Sequence, residues 1–489
     1  MTVTTNTTIQ DVLRKTRAKR PMADIALLKK AYEFAEAAHE GQKRKTGENY
    51  MCHCLATAAQ LADWGMDDET IMAGLLHDTV EDTDVTIETI TKEFGPTVAQ
   101  LVEGVSKLTK VKYRGIDRYV ESLRRMCLAM AKDARVIIIK CADRIHNLRT
   151  LDALPPEKQK RIAMESIEIY AAIANRLGMG EIRGQLEDLS FPYILPEEYV
   201  WLTKKIEKPY EAKKAYLKNI IAKVKRILKE NDIKYVSVHG RGKHLYSLYK
   251  KLLQHNRDLS KIYDLIALRI IVKDVADCYT ALGLVHEYWT PLKGRIKDYI
   301  AQQKPNGYQS LHTTVFCDQG EIVEFQIRTQ KMHIENEFGV AAHWQFKANN
   351  KKKRGKKKEL MPWMKQIEKI QKEAVNEKQF LESMKGDVFK NRIFVFTPQG
   401  DVIELPEGAT AVDFAYQIHT DLGNHCSGAK VNDKIQNIKT VLKSGDVVEI
   451  FSDKKRKGPN PDWLDFVVTN TARSQIKKMT QKPTLTADQ

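Results

Sequence analysis

The hydrophobic pattern of this chain changes its period once, and that change limits the folds the chain can adopt. From about residue 22 to residue 200 the apolar positions recur with helical spacing, as in 162–174, and strand signals are few. Runs of β-branched residues then appear at 235–238, 265–272 and 322–328, alternating with helical stretches. The sequence therefore predicts an all-helical domain followed by a domain of α/β type.

The chain has 489 residues, more than one hydrophobic core usually holds, so several domains are expected. The predicted segments are a helical domain at 1–195, an α/β domain with its connecting helices at 196–346, a basic linker and helix at 347–385, a small domain at 386–452 and the start of a helical region at 453–489. The lysine-rich run at 347–358 is typical of a solvated linker, and an RNA-contacting tail is the alternative. In the small domain, a hairpin turning at 398–401, a helix at 411–419 and a strand at 446–451 form a β-grasp pattern.

Charge and cysteine usage narrow the class of protein. A formal net charge of +17 suits a chain that handles polyanions such as nucleotides or RNA. Seven cysteines without a Cys-x-x-Cys pair indicate a reducing compartment and argue against a disulfide scaffold or a zinc ribbon. No apolar run approaches membrane-spanning length, and the polar N-terminus does not resemble a signal peptide. We expect a cytoplasmic protein with neither a membrane nor a DNA partner.

Four residues from three segments of the helical domain form a candidate metal site. They are His53, the doublet His77 and Asp78, and Asp143. Two imidazoles and two carboxylates make a mixed nitrogen and oxygen ligand set for a divalent ion. Such an ion lowers the pKa of a bound water from about 15.7 to about 7, so the ligand set predicts hydrolytic chemistry.

Two further acids follow the doublet by one helical turn. Glu81 and Asp82 are expected to orient or deprotonate the attacking water. A lone His-Asp pair in a helix is more commonly a surface pair or a helix cap. The apolar residues at 73–76 favour the metal interpretation, because unpaired acids beside apolar sequence need a compensating cation.

The α/β domain carries a second candidate site around two carboxylates. Glu324, Gln326 and Arg328 alternate with apolar residues, so a strand presents them on one face. Asp264 opens a neighbouring predicted strand, and with Glu324 it would suit magnesium and nucleotide phosphates. The alternative is that each acid simply ends a strand in solvent. The surrounding basic residues favour phosphate binding, because arginine can bind phosphate through two donors and lysine adds a mobile charge.

These motifs resemble those of one family. His53, the His77 and Asp78 doublet and Asp143, with the segments 44–47 and 143–150, resemble the HD-type hydrolase domain of the RelA/SpoT family of alarmone enzymes. The segments 241–251, 263–269, 304–312 and 324–329 are similar to the synthetase domain of the same family, and 397–400, 413–419 and 428–432 resemble its TGS domain. The resemblance covers roughly residues 22 to 475 and is to long members, although the chain stops at Gln489, before their zinc-finger-like and ACT portions. It is therefore expected to be naturally short or truncated.

The resemblance implies a fold and a function. The fold is multidomain, α and α+β: an all-helical HD-type hydrolase domain, a nucleotidyltransferase-like α/β synthetase domain and a small β-grasp TGS domain. The function is transfer of pyrophosphate from ATP to the 3′-hydroxyl of GDP or GTP, giving (p)ppGpp and AMP, and hydrolysis of (p)ppGpp to GDP or GTP and pyrophosphate in the stringent response. The segment 295–298 has the R-x-K-D form of bifunctional members. The helices at 150–230 are expected to control the two activities reciprocally.

The implied site residues fall into groups. In the hydrolase domain His53, His77, Asp78 and Asp143 bind Mn²⁺, Glu81 and Asp82 are catalytic, and the substrate is bound by Arg44, Lys45, Asn147 and Thr150. In the synthetase domain Asp264 and Glu324 are catalytic and bind Mg²⁺, and ATP is bound by Arg241, Lys243, Ser247, Lys251 and Arg269. GDP or GTP is bound by Arg295, Lys297, Lys304, Asn306, Tyr308, His312, Gln326 and Arg328, with Tyr308 stacked on guanine.

The resemblance also implies partners beyond the nucleotides. The TGS domain and the basic linker would contact a ribosome and uncharged tRNA, with His419 at the acceptor end of the tRNA, although a structural histidine is an equal alternative. Two other functions stay open. One is a ribosome- or tRNA-binding stress factor with weak or single remaining activity, and the other is a hydrolase for another nucleotide with an inactive synthetase domain.

Overall fold

The structure is a computed structural model, and it describes residues 7–109, 125–126, 129, 132–304, 306–342, 392–399, 401–443, 445–453, 455–456 and 458–480. The predicted basic linker and the helix after it, 347–385, lie outside these residues. The chain forms two compact units, one of residues 1–113 and 121–357 and the other of residues 114–120 and 358–489. Among the described residues, no helix combines the length and the apolar character needed to cross a membrane.

The first unit begins with a helical domain, as predicted. Its helices are α1 (Ile9–Lys19), α2 (Ile25–Ala38), α3 (Met51–Asp63), α4 (Asp68–Leu76), α5 (Thr79–Asp82), α6 (Ile87–Phe94), α7 (Pro96–Thr109), α8 (Arg135–Arg149), α9 (Pro156–Glu165), α10 (Ala172–Arg176) and α11 (Gly180–Ile194). Helix α8 is central, because the apolar residues 136–139 and 141–142 are buried on every side of it. A short π-helical segment, Ser166–Ala171, joins α9 to α10.

A long helix, α12 (Pro196–Glu230), leads into a five-stranded sheet in the same unit. The elements that follow are β1 (Tyr235–Gly242), α13 (Leu245–Gln254), β2 (Ile266–Val272), α14 (Val275–Tyr288), β3 (Lys297–Asp298), β4 (Leu311–Phe316), β5 (Ile322–Thr329) and α15 (Gln330–Phe338). The strand order is β1-β2-β5-β4-β3, in which β2 and β5 run parallel and the other neighbours run antiparallel. The strands that follow Asp264 and contain Glu324, β2 and β5, are therefore neighbours, as predicted.

The core of this sheet explains the alternation in β5. Val323, Phe325 and Ile327 are fully buried beside apolar residues of α12 and α14. The alternate residues form the polar face that the sequence predicts, but Gln326 and Arg328 on that face are buried as well. A central strand with a buried polar face requires partners for these groups inside the domain.

The second unit has the predicted β-grasp elements. They are β6 (Arg392–Phe396), β7 (Val402–Pro406), α16 (Ala411–Ile418), α17 (Thr420–Asn424), β8 (Cys426–Val431), β9 (Lys434–Gln436), β10 (Val448–Ser452) and α18 (Asn470–Thr480). Strands β6 and β7 form the predicted hairpin, and β10-β8-β9 form a three-stranded antiparallel sheet. Asp413 is fully buried and accepts hydrogen bonds from Thr410, Val468 and Thr469, so it fastens the segment before α18 to the start of α16.

Candidate active sites

The four predicted metal ligands meet in the helical domain. His53 lies on the first turn of α3, His77 and Asp78 follow the end of α4, and Asp143 lies on α8. His53 Nε2 is 3.5 Å from Asp78 Oδ2 and 3.3 Å from Asp143 Oδ1, and His77 Nε2 is 3.2 Å from Asp78 Oδ1. Donor atoms of His53, His77 and Asp143 all lie within 4.8 Å of one another. Residues from the consecutive helices α3 and α4 and from the later helix α8 therefore converge on one polar cluster.

The two imidazoles are oriented toward this cluster by contacts on their outer sides. His77 Nδ1 lies 2.9 Å from the carbonyl oxygen of Gly74, and His53 Nδ1 lies 2.8 Å from Nδ1 of His146. Both Nε2 atoms therefore face the carboxylates. Within the described part of the chain, His77 Nε2 is buried without a well-formed hydrogen bond, as expected of an atom whose partner is a metal ion.

The electrostatics of the cluster also fit a cation. Burial opposes ionisation of Asp143, but the adjacent ammonium of Lys140, 2.7 Å away, and His53 hold its pKa well below the usual range. Burial likewise opposes ionisation of Asp78, and His77 holds its pKa low. Burial lowers the pKa of His53, which favours the neutral, ligating form of the imidazole. Burial opposes the charge of His77, but Asp78 and Asp143 outweigh burial and raise its pKa to about 8, so the acids of this cluster attract positive charge. A divalent ion would take the place of that proton, with the carboxylates and imidazole nitrogens as its donors.

Tyr50 is a residue of this site that the sequence reasoning missed. Its hydroxyl oxygen lies 3.0 Å from Asp78 Oδ2 and 2.6 Å from Asp82 Oδ2, so its single proton is within reach of a predicted metal ligand and of a predicted catalytic acid. Burial and the charge of Asp78 raise the pKa of Tyr50, so it stays protonated and donates. Its position three residues before His53, at the start of the same helix, was the available signal. Glu81 lies on the same short helix as Asp82.

Two of the predicted substrate-binding residues, Arg44 and Asn147, contact the polar cluster. Arg44 Nη2 donates to Asn147 Oδ1 at 2.8 Å, and the Asn147 amide in turn donates to Asp143. Thr150 ends α8 one turn later, and its hydroxyl contacts the carbonyl oxygen of His146 at 3.3 Å. Lys45 is exposed beside Arg44. The side chains of Arg44 and Asn147 therefore adjoin the cluster directly, while Lys45 is free to meet an anion from solvent.

A second site surrounds a cavity of about 270 Å³ in the same unit. Most of the predicted nucleotide-binding residues line it, namely Arg241, Lys243, Ser247, Asp264, Lys304, Asn306, Tyr308 and Gln326. The helical domain contributes a wall that the sequence reasoning missed, consisting of Asn175, Gly178, Gly180, Arg183 and Gly184. The cavity is thus built from both predicted domains.

Asp264 is held by two of the predicted ATP-binding lysines. Lys251 Nζ lies 2.7 Å from Asp264 Oδ1, and Lys243 forms an ion pair with the other carboxylate oxygen. Burial alone would raise the pKa of Asp264, but the two ammonium groups outweigh burial and lower it. Ser247 Oγ donates to Glu187 of α11 at 3.3 Å.

Glu324 lies close to Asp264, and the charge of Asp264 opposes its ionisation. Burial also opposes it, yet hydrogen bonds from His312 and Gln326 outweigh both and lower its pKa; His312 Nδ1 is 3.1 Å from Glu324 Oε1. Tyr308 Oη lies 2.8 Å from His312 Nε2. Both acids are therefore held in the ionised form, in which carboxylate oxygens can bind a divalent ion.

Buried arginines meet at an acid that the sequence reasoning missed, Glu337 of α15. Arg269 Nη1 lies 3.0 Å from Glu337 Oε1, and Arg328 Nη1 lies 3.6 Å from the same oxygen. Burial and the charge of Arg328 lower the pKa of Arg269 to about 9. Because two arginines share one carboxylate, donors of both remain without hydrogen bonds among the described residues. The guanidinium of Arg328 also lies 5.6 Å from the ring centre of Tyr308.

Four predicted binding residues are outside the cavity lining but contact residues that line it, namely Lys251, Arg269, His312 and Arg328. The remaining three are Arg295, Lys297 and His419. Arg295 and Lys297 are exposed on the segment around β3 and are outside the lining of the described cavity. The charge of Lys297 nevertheless reaches Lys304 and adds to the lowering of its pKa by burial. In the second unit His419 is exposed, and its Nδ1 accepts a hydrogen bond from the backbone N–H of Asp421 at 3.2 Å. His419 therefore has a capping role at α17, with its other ring nitrogen toward solvent.

Comparison with known proteins identifies three domains in this chain. Residues 31–180 match the HD domain, residues 240–351 match the region found in RelA / SpoT proteins, and residues 393–452 match the TGS domain. Domains of the HD and RelA / SpoT kinds imply the use of divalent metal ions.

Proteins similar over nearly the whole chain come from several bacteria. A GTP pyrophosphokinase of Myxococcus xanthus is 46% identical over 461 residues, covering 94% of this chain and 60% of the relative. A guanosine-3′,5′-bis(diphosphate) 3′-pyrophosphohydrolase of Aquifex aeolicus is 45% identical over 457 residues, covering 93% and 64%. A bifunctional (p)ppGpp synthase/hydrolase RelA of Mycobacterium tuberculosis is 44% identical over 486 residues, covering 97% and 65%. The chain thus spans about three-fifths of the length of the curated relatives it matches.

Proposed function

Because this chain belongs to the RelA/SpoT family, we propose that it is a bifunctional alarmone enzyme. It transfers pyrophosphate from ATP to the 3′-hydroxyl of GDP or GTP, and it hydrolyses the 3′-pyrophosphate of the (p)ppGpp formed. One observation carries the proposal: the first unit has two separate ionised sites, one with two imidazoles and two carboxylates and the other with two carboxylates among cations. A chain with a single activity has no need of both.

The helical site is the proposed hydrolase centre. His53, His77, Asp78 and Asp143 would hold Mn²⁺, which supplies Lewis acidity and charge neutralisation when bound. Arg44, Lys45, Asn147 and Thr150 bind the nucleotide. Glu81 or Asp82 accepts a proton from the attacking water, whose oxygen forms a bond to the phosphorus attached to the 3′-oxygen. The bond from that phosphorus to the 3′-oxygen breaks, the 3′-oxygen takes up the proton from the acid, and GDP or GTP and pyrophosphate leave.

In that centre Tyr50 is a positioning residue. Its hydroxyl lies within hydrogen-bond distance of both Asp78 and Asp82, so it holds a proposed ligand and a proposed proton acceptor close to one oxygen. Because the buried phenol keeps its proton, it remains a donor throughout the reaction.

The cavity beside the sheet is the proposed synthetase centre. Arg241 and Arg269 hold the adenine or the phosphates of ATP, and Lys243, Ser247 and Lys251 bind the phosphate chain. Asp264 and Glu324 would hold Mg²⁺, which neutralises phosphate charge when bound. Both carboxylates are held in the ionised form, which fits that role.

The acceptor nucleotide completes the reaction. Tyr308 stacks on guanine, and Arg295, Lys297, Lys304, Asn306, His312, Gln326 and Arg328 surround the acceptor. Glu324 accepts the proton of the 3′-hydroxyl, whose oxygen attacks the β-phosphorus of ATP. The bond between that phosphorus and the bridging oxygen breaks, and AMP leaves with the bridging oxygen. Positioning and charge neutralisation do most of this work, so no covalent intermediate with the protein is needed.

Localisation and larger partners are part of the proposal. We assign the chain to the cytoplasm, where its nucleotide substrates are found. The TGS domain is proposed to contact tRNA on a ribosome, with the solvent-facing nitrogen of His419 as one contact.

Two reactions test the proposed function. The chain is incubated with ATP, GDP and Mg²⁺ in one tube and with ppGpp and Mn²⁺ in another, and the nucleotides are separated by anion-exchange chromatography. AMP with ppGpp in the first tube and GDP with pyrophosphate in the second are expected. A chelator in matched tubes should abolish both reactions. Absence of product in both tubes with metal present would contradict the proposal and favour the ribosome-binding alternative.

A further inference from the structure

A residue of the helical domain, Arg183 on α11, belongs to the wall of the synthetase cavity. It shares that wall with Lys243 and Ser247, which come from the end of β1 and from α13. Neither the predicted synthetase motifs nor the region matched to RelA / SpoT proteins, residues 240–351, includes it. Its presence in the cavity therefore needs an explanation of its own.

The guanidinium of Arg183 is held in one orientation. Its Nη1 donates to Asn175 Oδ1 at 2.9 Å, and its Nε donates to Glu187 Oε1 at 3.2 Å. Nη2 forms no hydrogen bond with the described residues, and the side chain is 31% exposed. Because Nε and Nη1 are held by Glu187 and Asn175, Nη2 of the planar guanidinium is left to donate to another group. A phosphate oxygen is a suitable acceptor.

A shared carboxylate places Arg183 on the ATP side of the cavity. Glu187, which is 5% exposed, accepts from Arg183 through Oε1 and from Ser247 through Oε2 at 3.3 Å. One carboxylate thus connects the arginine with a residue predicted to bind the phosphates of ATP. Arg183 and Ser247 therefore bind different oxygens of the same Glu187 carboxylate.

The cavity has more positive charge than its own acids balance. Arg183, Arg241, Lys243 and Lys304 line it, and burial together with neighbouring cations, Arg183 among them, lowers the pKa of Lys304. Like charges gathered around a cavity destabilise one another unless an anion enters. A polyphosphate chain supplies that anion.

We propose that Arg183 is a substrate-binding residue of the synthetase site, donating from Nη2 to the phosphate chain of ATP. The inference rests on the proposed function and deepens it, because it makes the hydrolase domain a contributor to the ATP site. The alternative is that Arg183 only forms an ion pair with Glu187 within α11.

Steady-state kinetics distinguish these roles. The KM values for ATP and for GDP are measured separately, with AMP formation as the readout, for the wild-type chain, Arg183→Gln, Arg183→Lys and the control Arg161→Gln, whose arginine is exposed on α9. Loss of one charged hydrogen bond to phosphate predicts a rise of about 10- to 100-fold in KM for ATP in Arg183→Gln. The KM for GDP and ppGpp hydrolysis should be unchanged, Arg183→Lys should be intermediate, and Arg161→Gln should match wild type.

The contrary outcomes are specific. An unchanged KM for ATP, or a rise confined to the KM for GDP, would overturn the inference. A fall in kcat alone that Arg183→Lys does not restore would indicate a structural role and also overturn it. If Arg183→Gln loses hydrolysis and fails to fold, Arg183→Lys decides, since a raised KM for ATP supports binding and an unchanged one refutes it. Absence of AMP formation by the wild-type chain would instead refute the proposed function.

Discussion

At the level of single residues, the helical site depends on a hydroxyl that bridges two acids with different roles. The Tyr50 hydroxyl is within hydrogen-bond distance of both Asp78 and Asp82. Its removal should leave the proposed metal ligands in place but allow Asp78 and Asp82 to move relative to each other. We predict that Tyr50→Phe lowers the rate of ppGpp hydrolysis by about 10- to 100-fold, the usual effect of losing an outer partner of a metal ligand.

Synthesis in Tyr50→Phe should stay at the wild-type rate. The matched control is Tyr32→Phe, which removes a hydroxyl from the neighbouring helix α2, where it bonds to Glu36. If the two variants hydrolyse ppGpp equally well, the positioning role of Tyr50 is wrong. AMP formation and GDP release measured on the same preparations give both rates.

His244 provides a pH-dependent contribution to stability. Burial opposes its charge, but Asp188, 2.8 Å from Nδ1, and Glu181 raise the pKa of His244 to about 9. Because the folded-state pKa exceeds the ordinary value of about 6.5, this stabilisation is complete below pH 6.5 and disappears as the pH rises through 9. His244→Gln should therefore lower the free energy of unfolding by about 1–3 kcal/mol at pH 6 and by much less above pH 9.5.

Urea unfolding curves of wild type and His244→Gln at the two pH values measure this difference. An equal loss of stability at both pH values would mean that the charge of His244 contributes nothing, and that only its packing matters.

Single site residues could be predicted from the sequence only where they lie in a recognisable local motif. His53, His77, Asp78 and Asp143 were predicted because each lies in a distinctive short segment, and the structure brings them together. Tyr50 and Glu337 were missed because their roles arise from tertiary contacts with residues 28 and more than 60 positions away. An isolated tyrosine or glutamate carries no signal of such a contact.

At the level of elements, helix α11 and the turn before it pack closely against the synthetase domain at two glycines. A Cβ atom at Gly178 would lie 2.8 Å from the carbonyl oxygen of Asn306, and one at Gly184 would lie 2.1 Å from Nε2 of His244. A Cβ at Gly178, in the turn before α11, would meet fixed backbone, whereas one at Gly184 would require the His244 side chain to move. The close approach at Gly178, where φ is also positive, therefore requires glycine.

Gly184→Ala should force His244 away from α11 and open the wall of the cavity. We predict a lower rate of AMP formation and a loss of stability of about 1–3 kcal/mol, as in other overpacked sites. Gly283→Ala is the matched control, because a Cβ there meets nothing within 4 Å on helix α14. That control should be neutral or up to about 1 kcal/mol more stable. Equal stability of Gly184→Ala and the control in thermal unfolding would contradict the proposed contact.

Element boundaries were harder to predict than element types. The connecting helices were predicted without bounds, and the structure has one long helix, α12, that begins at Pro196 and passes through Pro209. Proline normally ends a helix, because it lacks an N–H and crowds the preceding turn. Pro209 is exposed, so the carbonyl left without a partner is accessible to water. Periodicity alone cannot reveal that a helix continues beyond such a residue.

At the level of the whole molecule, two chemically different sites lie within one compact unit. The order of the motifs was sufficient to predict the hydrolase, synthetase and TGS domains, since each motif is local. It was insufficient to predict that α11 of the helical domain lines the synthetase cavity, because that arrangement depends on packing across the predicted boundary at residues 195 and 196. That boundary remains a prediction, as does reciprocal control through residues 150–230.

We expect each site to carry out one reaction by itself, and a pair of variants tests this expectation. AMP formation and ppGpp hydrolysis are measured for wild type, Asp78→Asn and Asp264→Asn, with circular dichroism as the check on folding. Asp78→Asn should lose at least about 100-fold in hydrolysis and keep synthesis, and Asp264→Asn should do the reverse, because each change removes a proposed ligand of one metal ion only. If either folded variant loses both activities, the two-site account is wrong.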